Sequence, residues 1–182
     1  MALQITPLCA ALGAEVSGLD LTRPMEAAEE RSLREAFLAH HLLCFRGAPL
    51  SAADFAALAR RFGEPQVQLL RQQRHDQVPE VSMLNSTYAR AEDKPGDMRR
   101  MRLTGWHTDD SYFETPAKAT LLQSIEIPDS GGQTSFCNTR AAYEGLDAAG
   151  KQRLAGLHAA HRYDTPRAPV RPKTRTGDEA AE

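Results

Sequence analysis

Trp106-His107-Thr108-Asp109-Asp110-Ser111-Tyr112 sets an imidazole and a carboxylate two positions apart. On an extended backbone, side chains at i and i+2 project to the same side. A nitrogen of His107 and an oxygen of Asp109 can therefore approach one metal ion. Iron(II) accepts both ligand types, and it keeps open positions when a second histidine completes a facial triad. The triplet alone is of low specificity, because a surface histidine beside an aspartate arises by chance. Trp106 reads equally well as a wall of such a site or as a core packing group.

Downstream, residues 119–127 form an apolar, strand-like run, and Pro128-Asp129-Ser130-Gly131-Gly132 is a dense turn signal. Residues 133–137 return as a strand containing Thr134, a β-forming residue. Asn138 is placed to N-cap a helix carrying Tyr143 and Leu146. His158 and His161 follow with a spacing that suits one metal if the segment is helical. Residues 165–182, rich in Pro, Arg and Thr, lack apolar periodicity and are expected to be extended or disordered.

Upstream, residues 81–84 read as a strand with Asn85 at its end, and residues 90–102 as a charged, mobile loop around Pro95 and Gly96. Residues 66–78 are polar and loop-like. Ser51 and Asp54 form a helix start signal, Phe55, Leu58, Ala59 and Phe62 follow at helical spacing, and Gly63 offers a C-cap. Leu42-Leu43-Cys44-Phe45 reads as a buried strand. Pro24 precedes a helix over residues 27–40 that sets Leu33, Phe37 and His41 on one side. Residues 4–8 and the middle of the 13–18 segment read as short strands separated by glycine turns.

Composition bounds the function class. The chain of 182 residues is long enough for a single domain with a real core, and 41% hydrophobic and 25% charged residues are ordinary for a soluble globular protein. A formal net charge of -2 provides no field for nucleic acid or an anionic membrane. The three cysteines, Cys9, Cys44 and Cys137, have no paired spacing, which argues against a disulfide framework or zinc knuckle; Cys44 and Cys137 are expected to be buried. No basic, apolar leader and no bilayer-spanning run is present, so a cytoplasmic location is the default expectation. Short strands flanked by helices point to an α+β fold with a sandwich or barrel core.

Several motifs match together and in order. Gly13-Ala-Glu-Val-Ser-Gly-Leu-Asp-Leu-Thr-Arg-Pro24, Phe45-Arg-Gly47, Arg61-Phe-Gly-Glu64, Trp106-His-Thr-Asp109, Phe113-Glu-Thr-Pro116 and Gly131-Gly-Gln-Thr134 resemble the taurine/2,4-D dioxygenase family. The resemblance extends to about Pro166. It implies a distorted jelly roll, a cupin-like double-stranded β-helix with flanking helices. It also implies an oxidoreductase using Fe(II), with 2-oxoglutarate and O2 as co-substrates. Such an enzyme hydroxylates a small, anionic organic molecule while 2-oxoglutarate is converted to succinate and CO2. On that resemblance His107 and Asp109 are the first two iron ligands and the catalytic pair, and Thr134 binds the far carboxylate of 2-oxoglutarate. Arg71, Asn85 and Trp106 are the substrate-side candidates.

The sequence also departs from the family. The family's distal histidine ligand and its 2-oxoglutarate-binding arginine have no counterpart before Glu182. The expectation is thus an N-terminal part of one dioxygenase domain, its jelly roll incomplete at the C-terminus and inactive alone. The alternatives are a pseudoenzyme, or a jelly-roll protein that binds a small molecule without turnover. A homo-oligomer is compatible with either. Gln68, Arg71 and Leu103 stand where the taurine enzymes carry a His, a Tyr and an Asn.

Overall fold

The computed structural model describes residues 3–67, 71–84, 106–130 and 133–162. Asn85 and the 90–102 and 165–182 segments lie outside the described residues. The chain divides into two compact units, Met1–Asp54 with Leu122–Ala159, and Phe55–Leu121 with Ala160–Glu182. Among the described residues, no helix is long and apolar enough to cross a membrane.

The first unit is built on a three-stranded sheet. Strand β1 (Gln4–Pro7) is antiparallel to β2 (Ala14–Ser17), and β2 is parallel to β3 (Leu43–Phe45). The β1–β2 link closes where Leu8 N–H donates to the Gly13 carbonyl at 2.9 Å. Gly13 has φ 90, and a Cβ there would sit 3.3 Å from Leu8 Cδ1, so the turn calls for glycine on both conformational and steric grounds. Parallel strands need a long crossover, which helix α1 (Ala27–His40) supplies between β2 and β3.

Helix α1 begins where Glu26 N–H donates to Glu29 Oε2 at 2.9 Å, while Arg23 Nη1 donates to the same oxygen at 3.0 Å. It ends at His41, whose N–H still donates to the Phe37 carbonyl at 2.7 Å before the backbone turns left-handed (φ 62). His41 is therefore an exposed cap and not part of the apolar face predicted for it. Leu33 and Ala36 fill the buried face, with Ala14 and Val16 of β2. The alternation of β2 explains its half: Ala14 and Val16 turn inward, and Glu15 turns out to pair with Arg46 at 3.3 Å. Burying a side chain such as Leu33, 1% exposed, contributes roughly 1.5–3 kcal/mol.

Residues 42–45 are half-buried rather than fully buried, and β3 lies at the edge of the sheet among the described residues. Cys44 is half-buried and Cys137 exposed, so the expected burial of both cysteines is corrected.

Ser51 opens α2 (Ala52–Arg60), as its spacing to Asp54 predicts. Its Oγ accepts from Asp54 N–H at 3.2 Å and donates to Asp54 Oδ2 at 2.6 Å. The helix stops at Arg60, not at Gly63: Arg61 and Phe62 N–H groups bond to Leu58 and Ala59 carbonyls three residues back, a tightened last turn that needs no glycine cap. In the second unit Ala56, Leu58 and Val81 are buried. The polar stretch read as a loop holds a short 3-10 turn, Arg71–Gln73. Residues 81–84 make a single bridge, Arg74 to Ser82, instead of the predicted strand. Val81 closes that turn by accepting from His75 N–H at 2.8 Å and donating to Val78 at 2.9 Å.

The stretches 119–127 and 133–137, read as strands, join no ladder among the described residues. Strand propensity measures the fit to a paired, half-buried surface, and Leu122, Ile125, Ile127 and Phe136 are instead exposed. Asn138 caps α3 (Thr139–Glu144) as predicted, accepting from Ala141 N–H at 3.0 Å. Tyr143 lies on this helix, but Leu146 falls beyond its end at Gly145. A further helix, α4 (Ala148–Leu154), was not legible in the sequence; Asp147 caps it by accepting from Gly150 N–H at 2.7 Å.

Candidate functional site

The 106–113 segment belongs to the second unit. His107 and Thr108 lie in no helix or strand, and the chain turns at Asp109–Tyr112. Asp110 takes a left-handed φ of 53, a conformation that aspartate tolerates better than most residues, and its carbonyl accepts from Phe113 N–H at 3.2 Å. Tyr112 Oη donates to Asp110 Oδ1 at 3.0 Å, and the Tyr112 and Phe113 rings lie 4.7 Å apart.

This backbone brings the predicted pair together. His107 Nε2 lies 3.0 Å from Asp109 Oδ1, with side chains 55% and 46% exposed. The two side chains thus meet as the i and i+2 spacing predicts, although Asp109 stands in a turn and not in a strand. Two ligand atoms about 2.1 Å from one ion and roughly at right angles are about 3.0 Å apart. The pair therefore has the separation of two adjacent ligands. Without metal the same spacing is a hydrogen bond. A metal would replace the proton between the atoms, and it needs neutral imidazole and ionised carboxylate. Among the described residues, no group of three metal-ligating side chains is assembled.

The remaining predicted residues are dispersed. Trp106, next to the pair, is 72% exposed. Arg71 is exposed at the start of the 3-10 turn. Thr134 is exposed and belongs to the first unit. Asn85, Gln68 and Leu103 lie outside the described residues.

His158 and His161 follow the end of α4 and are not helical, so their spacing does not turn them to one side. His161 has another partner: its Nδ1 lies 2.8 Å from Ser111 Oγ. Sequence reasoning missed this role for Ser111. The two residues are fifty positions apart, and no local periodicity links them.

A family model described as taurine catabolism dioxygenase TauD, TfdA family matches residues 4–181. An alkylsulfatase of Acinetobacter baylyi is 30% identical over 176 residues, which are 94% of this chain and 52% of that protein. An alpha-ketoglutarate-dependent 2,4-dichlorophenoxyacetate dioxygenase of Cupriavidus pinatubonensis is 29% identical over 88% of this chain and 58% of its own length. The crystal structure of a taurine dioxygenase from Burkholderia xenovorans superposes with a TM-score of 0.71 at 32% identity, covering 85% of this chain and 51% of that one. The chain spans about half the length of the curated relatives it matches.

Proposed function

The chain belongs to the taurine catabolism dioxygenase TauD, TfdA family, and from that membership we propose that it is the metal-binding part of an Fe(II)- and 2-oxoglutarate-dependent dioxygenase acting on a small anionic molecule. The observation that carries the reading is the 3.0 Å approach of His107 Nε2 to Asp109 Oδ1. In the family context that pair is two adjacent iron ligands. Bound iron with 2-oxoglutarate supplies oxidative chemistry, using O2 to hydroxylate a carbon of the substrate while the co-substrate becomes succinate and CO2.

The chain's own part is to bind and orient. His107 supplies a neutral nitrogen and Asp109 a charge that lowers the net charge of the ion. Thr134 offers a hydroxyl suited to a carboxylate of 2-oxoglutarate. Arg71 offers a planar guanidinium suited to an anionic substrate. The anionic substrate class is supported by relatives named for sulfate esters, phenoxyacetates and phenoxypropionates.

The test is iron-dependent release of succinate from 2-oxoglutarate by the full gene product, compared with His107→Ala and Asp109→Ala. Removing one of three protein ligands should lower turnover by about a hundredfold or more. Near-normal turnover in either variant would reject the assignment, and iron binding without turnover in the unaltered protein would favour a binding protein.

A further inference from the structure

We draw no further inference here: the strongest candidate, the exposed apolar surface of the 122–157 stretch in the first unit, with Leu122, Ile127, Phe136 and Leu157 among its exposed side chains, carries nothing because nothing in the structure shows what covers it.

Discussion

The side-chain amide of Gln123 is paired with both backbone polar groups of Leu50: Leu50 N–H donates to Oε1 at 2.9 Å, and Nε2 donates to the Leu50 carbonyl at 3.0 Å. The amide imitates a peptide unit, at a place where the Gln123 backbone joins no ladder among the described residues. It ties the 122–130 stretch to the residue before Ser51, where α2 is capped. Because the pair is partly buried, Gln123→Leu leaves a donor and an acceptor of Leu50 unpaired, a loss of about 1–3 kcal/mol. Gln123→Glu keeps an acceptor but turns a charge toward the Leu50 carbonyl, and should be nearly as destabilising. Urea midpoints of the two variants check this; a Gln123→Leu protein as stable as the unaltered chain would show that the pairing contributes nothing.

Asn138 serves two segments at once. Its Oδ1 caps α3 through Ala141 N–H, and its Nδ2 donates to the Ala11 carbonyl at 2.9 Å. The two functions separate by substitution. Asn138→Asp keeps the capping oxygen and loses the donor to Ala11, whereas Asn138→Ala loses both. The cap is worth about 1 kcal/mol and the added hydrogen bond about 0.5–1.5 kcal/mol. The Ala variant should thus be the less stable of the two in urea denaturation. Equal midpoints for both would mean that only one of these bonds matters.

Acidification should loosen the start of α1. The hydrogen bond from the Arg23 guanidinium, then that from Glu26 N–H, hold the Glu29 carboxyl below its usual range. Thr22, through its hydroxyl and its N–H, does the same for Asp20. A carboxyl with a lowered folded-state pKa stabilises the fold above its unfolded pKa, and that contribution is lost as pH falls through the folded value. Glu29→Gln should therefore be less stable than the unaltered chain near neutrality, and the gap should close below about pH 4. Urea midpoints across that range are the measurement. A gap that does not change with pH would mean that the carboxylate charge is not the source. Salt should also narrow the gap, because the ion pair is exposed.

What the sequence made legible was local. Ser51, Asn138, Gly13 and the 27–40 helix each announce themselves within a few residues and form as read, His41 at the helix end excepted. The His107 and Asp109 approach was legible for the same reason, since the two residues stand only two positions apart. The misses are non-local. Apolar runs at 119–127 and 133–137 carry strand propensity, but a ladder needs a neighbour that no window of sequence contains. Gln123 with Leu50 and His161 with Ser111 join residues 73 and 50 positions apart, beyond any helical or strand period. Helix α4 was missed because Gly150 lies inside it and lowers its intrinsic preference.

Taurine should be a poor substrate. The match to a taurine dioxygenase at 32% identity and to an alkylsulfatase at 30% does not separate the substrates, because overall identity is dominated by residues outside any pocket. The positions that would contact the substrate carry the discrimination. Where the taurine enzymes place a His, a Tyr and an Asn, this chain has Gln68, Arg71 and Leu103. Leu103 has no polar atom to offer in place of the amide, and Arg71 exchanges a neutral hydroxyl for a cation. A site that loses such partners discriminates far more strongly than one that loses a methylene. Taurine is a zwitterion, and a cation in its site would repel its ammonium while still attracting its sulfonate. A purely anionic alkyl sulfate or aryloxyalkanoate escapes that repulsion. Substrate-stimulated succinate release by the full gene product should favour the best anionic compound over taurine by about a hundredfold or more. Arg71→Tyr should narrow the ratio mainly by weakening the anion's KM. Comparable turnover of taurine and the best anion in the unaltered enzyme would show that these positions do not face the substrate.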